Sequence, residues 1–444
     1  MTYVPRNIEK KLVEILCGSS APHTVLLIAG ARQVGKSTCI QQVLSSLSSD
    51  YVTFNFETDL SLLSKVDRAR DFEAFEQVLR LNSRFNPDLE QILFIDEAQE
   101  SEQLGRFVRS MKEKWLKTRT ILSGSSMKRL FRDNQRIPVG RIRTVLVQPF
   151  SFAEFLFARD ETYLEQQLSE FDPCRPPSQQ IHEKALSLLD SYFEVGGLPE
   201  VVQAYVMRTD YRAQREAIFL EQRKDFIRVE PVSNIHMFDD ALRGVANHIG
   251  NVSKFTHISD NQRRAKQLIS LLEEWGLVYT VEQRGLNPTQ SLSPKRYLYD
   301  IGIAQDLRNM PFPALSFLRT KDPALRTPLG GLIENFVICS LIESDSGPIR
   351  VSSWAKNARS SMEVDFVWRA RGGTVPIECK ATLKPSLRSF TSVIEYLNLT
   401  GGKLGLLTSP AQYCEWQYQG KILINVPIYA LNPQLIERLI AKMT

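Results

Sequence analysis

TVLLIAGARQVGKSTCIQQVL, residues 24–44, decides the fold. The apolar run TVLLIA has the length of a buried parallel strand. GARQVGKS, residues 30–37, fits GxxxxGK[ST] and lies where that motif must lie, between a strand and a helix. From Lys36 onward Ile40, Val43, Leu44 and Leu47 fall on one helical face. Glycines in such a loop let backbone N–H groups wrap phosphates at the helix N-terminus. The stretch therefore predicts a nucleotide cradle of Gly30, Ala31, Arg32, Gln33, Val34, Gly35, Lys36, Ser37 and Thr38, with ATP and Mg²⁺ as expected ligands. In it Lys36 reaches the β- and γ-phosphates and the Ser37 hydroxyl binds Mg²⁺.

Outward from the cradle, YVTFNFE from Tyr51, ILFI at 92–95, TILSGS and RTVLVQ read as further strands, and residues 107–116 as a helix. Alternating strands and helices imply an α/β fold, a parallel sheet with helices on both faces. ILFI runs into Asp96-Glu97. Asp96 is placed to hold Mg²⁺. Glu97 is placed to polarise the attacking water, the role that separates a hydrolase from a nucleotide binder. The plainer reading is an acidic cap on the next helix. Ser125, at the end of TILSGSS, is placed to sense the γ-phosphate. Arg141 reads as an arginine finger, Arg141 and Arg143 equally as surface charges.

The chain has 444 residues, enough for two to four domains that each bury a core. Charged residues make up 24% and hydrophobic ones 43%, which excludes a collagen or a wholly disordered chain. No apolar run approaches the ~20 residues of a membrane span. Six scattered cysteines without a CxxC pair or a His cluster fit a reducing cytoplasm and small buried side chains. The net charge is only +5, but residues 106–143 hold twelve basic and two acidic residues, so the rest of the chain is net negative. Such a basic field suits nucleic acid through phosphate contacts. It also suits a solvated face paired to acids elsewhere.

After Pro149 the pattern turns helical, with a loop at 172–178 and a sharp turn at Gly196-Gly197-Leu198-Pro199. Residues 265–275 form an apolar-faced helix, followed by LVYTVEQ and KRYLYD as two strands. Helices followed by a two-stranded wing suggest a winged helix. Four prolines at 311–330 mark a linker, and a new α/β unit starts near Leu332. The expected divisions are an ATPase core at 1–150, a helical lid at 151–235, a winged helix at 236–310, a linker at 311–330 and a terminal domain at 331–444.

GARQVGKST, LFIDEAQ, LSGSS, VGRIRTVLVQPFSFAEF and GGLPEVV, in this order, resemble a widespread prokaryotic family of AAA-type P-loop ATPases with a C-terminal domain of unknown function. SPKRYLYDIGIA, GGLIENFV, MEVDFVW and VPIECKAT extend the resemblance over nearly the whole chain. It implies an AAA-type core, a helical lid, a winged helix and a terminal domain resembling PD-(D/E)XK nucleases. KFTHISDNQRRAKQ departs from a good helix-turn-helix, and SSWAKNARSSMEVD lacks the aromatic-basic strand that often precedes EVD in the family.

The nuclease-like signature needs carboxylates converging on a divalent metal, with a lysine nearby. Asp365 ends MEVD, and Glu378-Cys379-Lys380 follows on a strand. Alternation puts Glu378 and Lys380 on one face. Asp365 and Glu378 then bind Mg²⁺ and Lys380 activates water. Glu334 matches the acidic residue such nucleases place on their first helix. An active site and a retained fold without cleavage both fit.

The leading expectation is an ATPase acting on nucleic acid, DNA foremost, as a homo-oligomer without membrane contact. The alternative is a nucleotide-operated switch or scaffold whose terminal domain only binds. A motor acting on protein is weaker, because no substrate-gripping pore loop stands out.

Overall fold

The computed structural model describes residues 3–18, 24–47, 49–125, 127–131, 142–230, 235–259, 261–285, 292–308, 315, 318, 323–343, 350–357, 362–370 and 373–442. The chain divides into two compact units. One is Pro5–Gln148 with Glu274–Gly276; the other is Met1–Val4, Pro149–Glu273 and Leu277–Thr444.

The first unit is built on β1 (Val25–Ala29), β2 (Asp50–Asn55), β3 (Gln91–Asp96), β4 (Arg119–Ser123) and β5 (Ile142–Leu146). Their order is β2-β3-β4-β1-β5 and every pairing is parallel. The central strands β1, β3 and β4 are short and almost wholly buried, β3 along its whole length, as in a parallel sheet covered on both faces. One layer of the core is aromatic. Phe75 stacks on Phe107 at 4.8 Å, and Phe85 meets Trp115 edge-on at 4.9 Å. Trp115 is buried and its indole N–H donates to Glu76 at 2.7 Å, so the ring gains a full apolar contact without stranding its polar atom. Parallel pairing has a functional consequence: all five carboxyl ends lie along one edge, where ligands bind in such sheets.

The second unit begins with the helices Phe152–Ala158, Thr162–Ser169, Gln179–Val195, Pro199–Val206 and Tyr211–Val229, then Ile235–Asn247 and Gln262–Glu274. Two strands follow, β6 (Val278–Val281) and, after β7 (Gln283–Arg284), β8 (Lys295–Leu298). β6 and β8 pair antiparallel with Val278 opposite Leu298. The terminal sheet adds β9 (Val351–Ala355), β10 (Glu363–Ala370), β11 (Gly373–Cys379), β12 (Leu404–Ser409), β13 (Cys414–Tyr418) and β14 (Lys421–Pro427). Its order is β13-β14-β12-β11-β10-β9-β7. The sheet thus takes in β7, which pairs parallel with β9. The helices, the β6–β8 ribbon and the terminal sheet belong to one unit.

The linker expected at 311–330 is in part regular structure. A helix spans Pro323–Glu343 with Pro328 inside it. Pro323 opens that helix, where the missing N–H has no intrahelical partner to lose. The Pro328 carbonyl accepts from Arg308 at 2.9 Å. Two of the four prolines read as a break, Pro323 and Pro328, therefore sit within the first two turns of a helix; Pro311 and Pro313 lie outside the described residues.

Gly196 and Gly197 form a turn that a buried carboxylate holds. Asp300 accepts from the Gly197 N–H at 2.7 Å and the Ile303 N–H at 2.9 Å. Burial pushes its carboxyl above the usual range, opposed by these donors. Gly196 has a left-handed φ of +82°. A Cβ on Gly197 would lie 2.2 Å from the Phe150 carbonyl oxygen. Gly197→Ala is expected to cost about 1–3 kcal/mol through overpacking, read as a lower midpoint in thermal unfolding. Gly330→Ala, where a Cβ meets open space, is expected to leave the midpoint unchanged or raise it.

Candidate functional sites

The cradle follows from β1. The chain leaves Ala29 through Gly30, whose φ of +146° and whose approach to the Val147 carbonyl leave no room for a Cβ: one would lie 2.1 Å from that oxygen. Gly35, at φ +87°, turns the chain into the helix Lys36–Ser46. That helix has no acidic residue in its first turn, so its N-terminal N–H groups and positive dipole end are uncompensated from within. Lys36 is buried and donates to the carbonyls of Gly30 at 3.0 Å and Ala31 at 2.8 Å. Burial lowers its pKa, opposed by the charges of Glu97 and Asp96. Val34 is buried, Ser37 half-buried and Thr38 exposed. Gln33 takes a left-handed φ of 64°. Arg32 pairs with Glu57.

β3 delivers the acids. Asp96, buried at the strand end, accepts from the Ser123 hydroxyl on β4 and from Asn55 Nδ2 on β2 at 3.3 Å. Glu97 follows with a left-handed φ of 49°, an uncommon conformation for a residue with a side chain. Its carboxylate accepts from Gln99 at 2.5 Å. Burial raises its pKa, opposed by Lys36 and by the Gln99 hydrogen bond. Lys36, Asp96 and Glu97 therefore form one buried electrostatic group at the carboxyl edge of the sheet. The donor set fits Mg²⁺–ATP. The tight glycine cradle admits phosphate oxygens to backbone N–H groups, and Ser37 and Asp96 supply the hard oxygens Mg²⁺ takes. Ser125 is buried just beyond β4; Arg141 lies outside the described residues.

Arg6 was not legible as part of this site. It is buried, and it donates to the Val34 carbonyl at 2.9 Å and the Gln148 carbonyl at 2.6 Å. One guanidinium thus ties the phosphate loop to the chain leaving β5. Ser123 and Asn55 were also missed, although their place at the ends of strands flanking β3 was a usable signal.

The basic segment is partly spent on ion pairs. Arg109 pairs with Glu113 at 3.0 Å, Lys114 with Glu73 and Arg129 with Glu100 at 3.5 Å. Lys112 is half-buried and Lys117 exposed.

In the second unit Glu334, Asp365 and Glu378 are all buried, and an ammonium group lies between the first two. Lys295 on β8, fully buried, lies 2.8 Å from Asp365, 3.3 Å from Glu334 and 3.4 Å from Glu363. Tyr297 donates to Glu334 at 2.9 Å. The second Asp365 oxygen accepts the Cys379 N–H at 2.9 Å. Lys380 faces Glu378 at 2.5 Å, as strand alternation requires. Burial and the Asp365 charge push Glu334 and Glu378 up to about 8, while the Asp365 and Glu334 charges hold Lys295 well above its ordinary pKa despite its burial. Where a metal centre is expected at Glu334, Asp365 and Glu378, an ammonium group lies beside two of the three acids. Among the described residues no group of three or more His, Cys, Asp or Glu side chains is arranged to hold a metal ion. Lys295 stands in the quoted block SPKRYLYD but was not singled out; its two-residue spacing from Tyr297 on a strand was the available signal.

Residues 22–156 match the sequence profile of an AAA domain. Residues 186–313 and 329–429 match two profiles described as domains of unknown function, DUF8612 and DUF4143. No curated protein matches the chain. Among solved structures, a Walker-type ATPase of Pyrococcus abyssi is similar, with 18% identity over 69% of this chain and 96% of that one and a TM-score of 0.44. The RuvB Holliday-junction branch-migration motor of Thermotoga maritima is also similar, with 13% identity over 62% and 89% and a TM-score of 0.30. The chain thus carries an AAA-type P-loop ATPase domain within an α/β architecture. No helix among the described residues is long and apolar enough to cross a membrane.

Arg6→Ala removes two hydrogen bonds from a charged donor to buried carbonyls, each typically worth about 1.5–3 kcal/mol. The expected result is a lower thermal midpoint together with weaker binding of a fluorescent ATP analogue. Wild-type nucleotide affinity in a folded Arg6→Ala protein would show that the loop holds its shape without this tie.

Proposed function

We propose that the chain hydrolyses ATP with Mg²⁺ as cofactor, works through that cycle on nucleic acid, and uses its terminal domain to bind rather than to cleave. The observation that carries the hydrolysis is the Lys36–Asp96–Glu97 group at the carboxyl edge of the parallel sheet. Lys36 leaves the loop carbonyls to meet the β- and γ-phosphates. Glu97 accepts the proton of the attacking water; its raised pKa makes it a better base than an exposed glutamate. Ser37 and Asp96 would hold Mg²⁺, which would supply neutralisation of phosphate charge there. Ser123 and Asn55 orient Asp96, and Ser125 stands near the end of β4 as a γ-phosphate sensor. Arg141, supplied by a neighbouring copy of the chain, would complete a homo-oligomeric site.

Nucleic acid is the partner suggested by residues 106–143, with DNA first. The ion pairs of Arg109, Lys114 and Arg129 reduce that field, and the exposed Lys117 remains part of it. Binding rather than cleavage by the terminal domain is supported by Lys295 among its acids. It also fits a nucleotide-operated switch, in which the cycle rearranges a binding surface.

Two variants separate binding from chemistry. Lys36→Ala is expected to lose ATP binding, because the phosphates lose their main cationic partner. Glu97→Gln is expected to bind ATP normally while turnover falls about 10²–10⁴-fold, the usual contribution of a positioned base. Nucleotide titration and phosphate release measure the two steps, and normal turnover in Glu97→Gln would remove that residue from the mechanism.

The nucleic-acid reading predicts a salt effect. Lys112→Glu/Lys117→Glu is expected to weaken duplex DNA binding and flatten the slope of log affinity against log salt, since fewer counterions are released. Equal affinity at low salt in wild type and double variant would show that this face is only solvated.

A further inference from the structure

We infer that Lys295 is the resident cation of the acid cluster in the second unit, so that the chain takes no divalent metal there while that side chain is in place. The inference rests on the reading that the terminal domain does not cleave, and goes further by naming what occupies the site.

The geometry argues it from several sides. A carboxylate-bound Mg²⁺ or Ca²⁺ needs oxygens at about 2.0–2.6 Å with free lone pairs. At Asp365 one oxygen already accepts from a positive charge, the Lys295 ammonium, and the other from the Cys379 N–H, so a metal would compete with a cation for the first. At Glu334 one oxygen receives both Lys295 and Tyr297. A metal on Asp365 and Glu334 would have to share their oxygens with a positive charge already 2.8 Å from one of them, and two cations drawn to the same carboxylate oxygens repel strongly in a buried site.

Lys295 is also placed by its strand rather than by chance. β8 pairs with β6, and alternation puts Lys295 and Tyr297 on one face, where both reach Glu334. Arg296, between them, donates instead to the Ser253 carbonyl at 2.7 Å. Lys295 has no exposed surface, and a charge so placed persists only when paired.

A second observation shows that the cluster is built for positive charge. Glu378 is buried, and while one of its oxygens takes Lys380, the other has no hydrogen-bond partner among the described residues. The cluster therefore holds more carboxylate than its two lysines satisfy. Removal of Lys295 leaves a vacant cation position beside two buried acids, Glu334 and Asp365, and the half-exposed Glu363.

The test is Mn²⁺ titration of the full chain without nucleotide, which keeps the ATP site from loading metal, by calorimetry and by the electron-spin-resonance signal of free Mn²⁺. Wild type is expected to show no site that depends on Asp365. Lys295→Met is expected to gain one, with affinity higher by about a hundredfold or more, the scale set by removing a unit charge from contact distance. Asp365→Asn on top of it is expected to abolish that site. If Lys295→Met does not fold, Lys295→Met/Glu334→Gln leaves one fewer uncompensated charge and keeps Asp365 and Glu378 for the same titration. A wild-type Mn²⁺ site lost in Asp365→Asn overturns the inference. So does the absence of any gained site in both lysine variants. Metal-dependent DNA cleavage by wild type, lost in Asp365→Asn, would instead overturn the reading of the domain as non-cleaving.

Discussion

A buried carboxylate needs a positive partner, and both units of this chain meet that demand with a buried lysine. In the first unit Lys36 faces Asp96 and Glu97; in the second Lys295 faces Asp365 and Glu334. The two lysines differ in what holds them. Lys36 stands at the start of a helix, and its ammonium donates to the carbonyls of its own loop. Those are neutral acceptors, weaker partners than ions, so a polyphosphate can outcompete them. Lys295 contacts carboxylates directly from a paired strand. Three carboxyl groups within 3.4 Å would have to be abandoned before it could move. The same electrostatic requirement yields an exchangeable partner in one unit and a fixed one in the other.

The location of the nucleotide site depends equally on strand direction. Parallel register brings Asn55 beside Asp96 and Ile28 beside Ser123. The loop after β1 and the acids after β3 therefore meet at one edge, with β4 between them in the sheet. An antiparallel sheet of the same residues would scatter them to both edges. The left-handed backbone at Glu97 sets its carboxylate apart from that of Asp96. Two adjacent acids thus acquire different surroundings: Asp96 takes hydrogen bonds from flanking strands, while Glu97 takes Gln99 and feels its burial most. Separate environments for neighbouring carboxylates are how one site assigns one to a metal and the other to a proton.

Sequence patterning exposed the first site well because its chemistry is local. GARQVGKS and FIDEAQ each carry their own strand, turn and ligand in consecutive residues, so period and spacing sufficed for Gly30, Lys36, Ser37, Asp96 and Glu97. Arg6 escaped because its role spans 142 residues to Gln148, and nothing in an amphipathic N-terminal helix marks a buried guanidinium. The acids Glu334, Asp365 and Glu378 stand out in the sequence, but the lysine beside Glu334 and Asp365 does not. Lys295 comes from a strand 70 residues before Asp365. The proline count at 311–330 suggested a break between them, whereas a helix begins at Pro323. Prolines were read by composition, when their position in the first turns of a helix was what mattered.

The placement of Lys295 also changes what the terminal domain is. Strand β7 lies in its sheet, and β8 supplies the charge that balances its acids. Tyr297 caps Glu334, and Asn335 exchanges two hydrogen bonds with the Leu298 backbone, donating to its carbonyl and accepting from its N–H. A piece starting near residue 331 would keep Glu334, Asp365 and Glu378 but lose Lys295, Tyr297 and an edge strand. Its buried acids would then repel one another without compensation and recruit protons or any available cation. Metal binding by such a piece would report the missing lysine rather than the chemistry of the chain. The folding unit that carries these acids therefore includes the β6–β8 ribbon, and only a chain that contains the ribbon presents them in the electrostatic state in which they act.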